Sequence, residues 1–231
     1  MEGVELMDFG VSDYDETYLL QRELFEKLLD GKKTGNVTPK EYLLIGEHQP
    51  VITLGRRAKE TNLLLSADII EASGIKIRRI ERGGDVTYHA PGQLIAYPIL
   101  DLTRHRLGVK NYVTLLEEAI ILLLRNYGIK GERVEGATGV WIDKGMDRER
   151  KICAIGIRCR NYCSMHGLAL NVNTDLSGFN LINPCGFTDK GVTSMSKERG
   201  KVFDMNEIKR EFSKILFGLI FPLQKILDFS K

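Results

Sequence analysis

Strand-like runs follow one another along this chain with few helices between them, and that order constrains its fold more than any other feature. Tyr42–Ile45, Val51–Leu54, Ile75–Ile80, Val86–His89 and Leu94–Leu100 come first; Gly139–Ile142, Ile152–Arg158 and Gly167–Val172 follow. Each is rich in β-branched or aromatic residues and bounded by Gly, Pro or Asn. Helical spacing marks four other segments. The first begins near Ser12, sets Tyr18, Leu19, Leu24, Phe25 and Leu28 on one face, and stops at Gly31. A short one runs from a Ser66 N-cap through Ala72 to Gly74, and a long apolar one spans Lys110 to Tyr127 ahead of Gly128. The last opens with the capping box Asp204-x-x-Glu207 and carries Ile208, Phe212, Ile215, Leu216 and Leu219 until Pro222 interrupts it. A regular β-α-β-α alternation is missing. The order therefore predicts an α+β fold, a mixed β-sheet flanked by helices, over a doubly wound one.

A chain of 231 residues is long enough to bury a continuous core, and 1–231 reads as a single catalytic-size domain. Its 33 Lys+Arg against 31 Asp+Glu give a formal charge of +2, which argues against a nucleic-acid binder. The apolar run Ala119–Leu124 falls far short of the ~18 residues of a membrane span, so no membrane partner is expected. The opening MEGVELMDFG has neither a basic stretch nor an apolar run of a secretory signal, so a cytoplasmic location is expected. Cysteines at 153, 159, 163 and 185 match neither a disulfide framework nor paired zinc knuckles, so reduced thiols are expected. His48, His89, His105 and His166 are too scattered to propose a metal site. Neither G-x-x-x-x-G-K-[ST] nor a strand-to-helix G-x-G-x-x-G occurs, which weighs against ATP or a dinucleotide.

Two constellations carry chemistry. In Arg82-Gly83-Gly84-Asp85-Val86-Thr87-Tyr88-His89, the paired glycines let backbone N–H groups approach a ligand. The strand that follows sets Thr87 and His89 on one face and Val86 and Tyr88 on the other. A plain Gly-Gly hairpin with hydrogen-bonding strand residues is the alternative. In Asn183-Pro184-Cys185-Gly186, a thiol sits between a proline and a glycine, on a turn and open to substrate. An inert turn thiol is the alternative there. A cysteine attacks as its thiolate, so it needs a neighbouring cation or base to bring its pKa down from about 8.5. Lys151, which opens the strand Lys-Ile-Cys-Ala-Ile-Gly, is a candidate; Cys153 alternates inside that apolar strand and reads as structural.

Taken together, RGGDVTYHAPGQLIAYPILDL, KICAIGIR and HGLALNVNTDLSGFNLINPCG resemble the lipoyl(octanoyl) transferases, which are octanoyl-[acyl-carrier-protein]:protein N-octanoyltransferases. The blocks cover roughly residues 80–190 in the family's order. The resemblance implies a fold shared with lipoate and biotin protein ligases, with a smaller C-terminal portion at about 175–231. It implies that Cys185 carries an acyl-thioester and that Lys151 lowers its pKa. It assigns acyl binding to Arg82, Gly83, Gly84, Asp85, Val86, Thr87, Tyr88 and His89, to Ala154, Ile155 and Gly156, and to Gly167, Leu168 and Ala169. The implied partners are octanoyl-acyl-carrier-protein, the lipoyl domains of 2-oxoacid dehydrogenase complexes and the glycine cleavage H protein. Since a thioester is already activated, no ATP and no metal are expected. The charged loop Lys144–Arg150 is longer than a minimal hairpin.

Arg56-Arg57-x-Lys59, Lys76-x-Arg78-Arg79 and Arg104-x-Arg106 are candidate basic clusters for steering acidic partners. The nearest rival is an ATP-using lipoate or biotin ligase on the same fold, although the only tryptophan, Trp141, lies in GVWID and not in a biotin-ligase motif. A lipoyl amidotransferase, a thioesterase and a non-catalytic acyl-binding module are further alternatives.

Overall fold

The computed structural model describes residues 3–35, 39–183 and 191–221. Cys185 and Gly186, and with them the expected acyl-thioester position, lie outside the described residues.

A large mixed sheet forms the middle of the molecule. Its strands are β1 (Val4–Ser12), β2 (Glu41–His48), β6 (Gln93–Ile99), β7 (Glu132–Val134), β8 (Ala137–Ile142), β9 (Arg150–Arg160) and β10 (Cys163–Asn171), in the spatial order β1-β2-β6-β10-β9-β8-β7. All neighbours are antiparallel except β1 and β2, which run parallel. A two-residue strand, β11 (Gly191–Val192), pairs in parallel with Arg150 and Lys151 of β9, beyond the point where β10 leaves it. A smaller sheet is built from β3 (Val51–Leu54), β4 (Lys76–Arg79) and β5 (Val86–His89), in the order β4-β3-β5.

Helices cover both faces of the large sheet. The helix α1 (Tyr14–Thr34) packs Leu24, Phe25, Leu28 and Leu29 against Leu44, Ile95, Tyr97, Met165 and Ala169. On the opposite face α3 (Val109–Asn126) and α5 (Met205–Ile220) bury Leu116, Ile120, Leu123, Ile208, Phe212 and Leu216 against Leu43, Leu94, Ala96, Leu168 and Leu170. The strand β6 contributes to both sides, Leu94 and Ala96 to one and Ile95, Tyr97 and Ile99 to the other. A strand buried on both faces reads as an unbroken apolar run, which is how Leu94–Leu100 stands out in the sequence. The small sheet packs Ile52, Leu54, Val86 and Tyr88 against Ile70 of α2 (Ala67–Ala72) and Phe179 of a short 3-10 helix, Leu176–Leu181.

The helix ends follow local chemistry. Asp13 caps α1 by accepting from the Asp15 N–H at 2.9 Å, and Gly35 ends it in the left-handed conformation at φ 66°. The start is thus one to two residues later than Ser12 suggests, and the helix runs through Gly31 because the chain turns only at Gly35. Leu19, placed on the apolar face by spacing, is 65% exposed; Gln21 takes the buried position instead. Asp204 caps α5 as expected, accepting from the N–H groups of Asn206 and Glu207. The strands β1 and β7 and the short helix α4 (Met195–Arg199) are not visible as patterns, since β1 is an edge strand with an alternating, mostly half-exposed sequence. No helix among the described residues is long and apolar enough to cross a membrane.

Candidate active site

A cavity of about 480 Å³ opens between the inner face of the small sheet and the β9–β10 hairpin of the large one. It is lined by Lys151, Arg82, Gly83, Gly84, Asp85, Val86, Thr87, His89, Ala154, Ile155, Gly156, Gly167, Leu168 and Ala169. Every candidate site residue within the described segments therefore lines it except Tyr88. The ring of Tyr88 points to the other side of β5, edge-on to Phe179 at 5.5 Å and against Gly178, where an added Cβ would come within 2.3 Å of it. The strand's alternation decides this, as the sequence anticipates: Val86 and Tyr88 join the small sheet's core while Thr87 and His89 face inward.

The floor of the cavity is made of very small side chains in register. Ala154 pairs with Ala169 and Gly156 with Gly167 across β9 and β10, so the space above the sheet there is bounded by methyls and hydrogens. The Arg82–Gly84 turn lies directly above. The Gly83 N–H donates to the Ile157 carbonyl at 2.8 Å, and an added Cβ on Gly156 would meet the Gly83 oxygen at 2.7 Å. Gly84 takes φ 91°, a conformation L side chains rarely adopt. Asp85 braces the same turn: its carboxylate accepts from the Asn62 amide at 2.9 Å and from the Val86 N–H at 2.7 Å.

Arg82 is 8% exposed. Its guanidinium donates to the Thr53 carbonyl at 2.8 Å, to the Thr53 hydroxyl at 2.9 Å and to the Gly83 carbonyl at 3.0 Å, which ties the turn to β3. Lys151 sits further along β9, flanked by Trp141 of β8 on one side and Val192 of β11 on the other. Its ammonium lies 4.5 Å from the centroid of the Trp141 ring, held by the indole's π face.

Arg57 of the basic cluster and His166, which opens the HGLALNVN block, also line it, as do residues the sequence does not mark for the site: Tyr14, Ile80, Tyr97, Val113, Gly136, Ala137, Thr138 and Ile157. Tyr14, Tyr97, His48, His89 and His166 form a packed aromatic group beside the cavity, with ring centroids 5.1–6.4 Å apart. Burial pushes His48 down to about 4 and His89 and His166 down to about 3, so all three rings are neutral at physiological pH. The Tyr14 hydroxyl and His166 Nε2 are buried with no hydrogen-bond partner among the described residues. Leaving such an atom unpaired costs about 1–3 kcal/mol, so both have a bond to offer a molecule in the cavity. His166 adopts φ 60° inside β10, a costly conformation for an L residue, anchored by its N–H donating to Gln21 Oε1 at 3.2 Å. Nothing in the HGLALNVN block specifies this geometry.

The described cysteines are poor nucleophiles. Burial pushes the Cys153 thiol far up, Cys163 up to about 11 and Cys159 up as well. The loop before Lys151 is not a loose one: Asp143 pairs with Arg148 at 2.7 Å and with Arg150 at 2.6 Å, and Arg150 continues to Glu198 at 2.6 Å. Arg150 is the first residue of β9, not a loop residue. Of the basic clusters, Lys76 and Arg78 are paired with Asp13 and Asp15, and Arg104 with Glu41. Exposed Arg56 and Arg57 pair with no carboxylate among the described residues, and Arg57 lines the cavity. Arg56 also lines an adjoining groove with Arg79 and Arg158.

The mixed sheet flanked by helices is a fold shared with lipoate and biotin protein ligases of known structure. The bipartite lipoate protein ligase of Thermoplasma acidophilum superposes with a TM-score of 0.66 at 18% identity, over 95% of this chain and 84% of that one. The biotin protein ligase of Aquifex aeolicus superposes with a TM-score of 0.52 at 13% identity, over 96% and 70%. The model of the lipoyl protein ligase A/B catalytic domain matches residues 13–217, and the chain belongs to that family. Within it the chain is similar to the octanoyltransferase of Parabacteroides distasonis, with 48% identity over 220 residues, 95% of this chain and 99% of that protein. It is thus an acyltransferase, one that moves octanoyl groups in protein lipoylation.

Proposed function

We propose that the octanoyl group comes from octanoyl-acyl-carrier-protein, rests as a thioester on Cys185 and ends on the ε-amine of a lipoyl-domain lysine. The observation that carries this reading is the position of Lys151. It lines the acyl cavity and pairs with Val192 of β11, where the described chain resumes six residues after Cys185. On the other side of that cysteine, the Asn183 N–H donates to the Asn62 carbonyl at 2.8 Å, and the Asn62 side chain holds Asp85 at the cavity edge. The chain is therefore anchored at Asn183, before Cys185, and at Gly191–Val192, after it. The raised pKa values of Cys153, Cys159 and Cys163 leave Cys185 as the thiol suited to attack.

In the first half-reaction the Cys185 thiolate, stabilised by the Lys151 ammonium, attacks the donor carbonyl. The C–S bond to the carrier breaks and Lys151 gives its proton to the departing pantetheine thiolate. In the second, the acceptor lysine amine attacks the enzyme thioester. Lys151, now neutral, takes the amine's proton, the amide forms and the thiolate is restored. A thioester is spent to make an amide, so neither ATP nor a metal is required. The Gly83 N–H is committed to Ile157, so Gly84 is the member of that pair available to an oxyanion. Arg56 and Arg57, exposed beside the cavity and paired with no carboxylate among the described residues, would steer an acidic carrier or lipoyl domain, whether of a 2-oxoacid dehydrogenase complex or the glycine cleavage H protein. The reaction belongs in the cytoplasm, where these partners would meet it.

Intact-mass measurement after mixing the reduced protein with octanoyl-acyl-carrier-protein and no ATP tests this. The expected result is a hydroxylamine-labile octanoyl adduct on Cys185 that disappears when apo lipoyl domain is added. Modification of the lipoyl domain only with free octanoate and ATP would replace this reading with the ligase one.

A further inference from the structure

A chain of buried side chains runs from the acyl cavity to the strand pair that carries Lys151, and all its hydrogen bonds point the same way. Two main-chain carbonyls fix the direction. Gln93 Nε2 donates to the Tyr88 carbonyl at 3.2 Å, so its Oε1 is the atom facing His89 Nδ1 at 2.7 Å. A carboxamide oxygen only accepts, so His89 carries its proton on Nδ1. With the ring neutral, Nε2 is bare and accepts from the Thr53 hydroxyl at 3.3 Å. Thr53 in turn accepts from the Arg82 guanidinium at 2.9 Å. In the other direction Gln93 Nε2 donates to Asn171 Oδ1 at 2.8 Å, and Asn171 Nδ2 donates to the Thr193 carbonyl at 3.0 Å. The Thr193 N–H then donates to the Lys151 carbonyl at 3.0 Å.

Thr53, His89, Gln93, Asn171 and Thr193 are all buried, and Thr53, Gln93 and Thr193 are at most 1% exposed. Buried polar chains of uniform direction polarise one another and tolerate no reversed member, because a reversal sets two acceptors or two donors face to face. The cation at the head is Arg82, which holds the Gly83 carbonyl over the cavity floor. At the tail lies the β11–β9 pairing at Val192 and Lys151.

We propose that Thr53, Gln93 and Asn171 are positioning residues of the acyl-transfer site, holding the Arg82–Gly84 turn at one end and the backbone of Lys151 at the other. The inference rests on Lys151 acting at the site. None of the three touches the reacting atoms; each acts through the groups it orients.

Nitrogen-15 NMR of the imidazole side chains in the intact protein tests the direction of the chain. The expected signature for His89 is a protonated Nδ1 and a bare Nε2. Protonation on Nε2 would overturn the proposal, whatever any variant does. Kinetics test the positioning. Thr53→Val removes the hydroxyl at nearly constant volume and is expected to lower kcat about tenfold with little change in KM for the acyl donor. Thr53→Ser keeps the hydroxyl and is expected to restore most of it. Equal kcat values for the two would overturn the role, as would full activity of Asn171→Leu, which has no group to donate to the Thr193 carbonyl or to accept from Gln93. The lysine reading fails separately: a Lys151→Ala protein with undiminished transfer would remove Lys151 from the chemistry and leave the His89 signature untouched.

Discussion

Lys151 and Trp141 face each other across β8 and β9, and the lysine ammonium stands 4.5 Å from the centre of the indole ring. Trp141 is itself fully buried, its indole N–H donating to the Ala137 carbonyl at 2.8 Å. The aromatic wall therefore does two things: it fills the core and it gives the lysine's charge a fixed place at the cavity. Trp141→Leu is expected to lower stability by about 3 kcal/mol, and to lower kcat by more than the loss of folded protein explains. Trp141→Phe keeps the ring face and should retain most of the rate. Circular-dichroism melting run beside a transfer assay separates the two effects; equal specific activity of Leu and Phe variants at full folding would contradict the pairing's role.

Removing Lys151 should produce a rate defect that depends on pH. If the ammonium's task is to hold Cys185 as thiolate, Lys151→Ala slows acyl-enzyme formation most near pH 7 and least near pH 9, where a thiol of pKa about 8.5 ionises unaided. Rapid-quench mass spectrometry of the first half-reaction at several pH values measures it. A defect of the same size at every pH would assign the lysine another role.

Gly156 is where the floor of the cavity and the turn above it touch. A methyl at this position would lie 2.7 Å from the Gly83 oxygen and 3.1 Å from Arg82 Cδ, so the turn must lift. Gly156→Ala is expected to cost about 1–3 kcal/mol of stability and at least tenfold in kcat/KM for the octanoyl donor. Wild-type kinetics with this variant would show that the turn is not part of the acyl site.

Acid should destabilise the protein well above the carboxylate range. His48, His89 and His166 have folded pKa values near 4, 3 and 3, all depressed by burial, against about 6.5 unfolded. Between these limits the unfolded chain binds more protons than the native one, so stability rises with pH. Their contribution is complete above about pH 6.5 and is lost as the pH falls toward 4. Urea unfolding at pH 7, 6 and 5 should show a steadily lower midpoint with proton uptake on unfolding. A midpoint that stays constant from pH 7 to 5 would mean these rings are not buried neutral.

Arg150 ties three elements together. Its guanidinium reaches Asp143 at 2.6 Å and grips Glu198 through Nε at 2.8 Å and Nη2 at 2.6 Å, joining the β8–β9 turn, β9 and α4. Arg150→Lys cannot make the two-pronged contact, so it should lose about 1–3 kcal/mol, nearly as much as Arg150→Met. Thermal melts of both variants decide it; full retention of stability by the lysine variant would mean that charge alone matters there.

Much of this was legible in the chain. The long apolar helix Lys110–Tyr127, the Asp204 cap, the strands Val51–Leu54 and Val86–His89 and the α+β order all follow from periods of 3.6 and 2 and from capping chemistry. Leu19 and the first strand were not. An amphipathic stripe admits a buried Gln21 when a backbone N–H, here that of His166, needs its oxygen, and an edge strand needs no apolar run to pair with a neighbour.

By itself, then, the sequence determined the alternation that turns Thr87 and His89 inward and Tyr88 outward, the glycines over which a turn can close, and the small residues at 154, 156, 167 and 169. These are local properties, set by side-chain size and backbone freedom. Only the tertiary structure decided that Ala154 meets Ala169 and Gly156 meets Gly167, that Trp141 backs Lys151, and that Thr53, Gln93 and Asn171 join Arg82 to the β11 pairing. Strand register and burial set those relationships between residues as far apart as 53 and 193, and no window along the chain contains both ends.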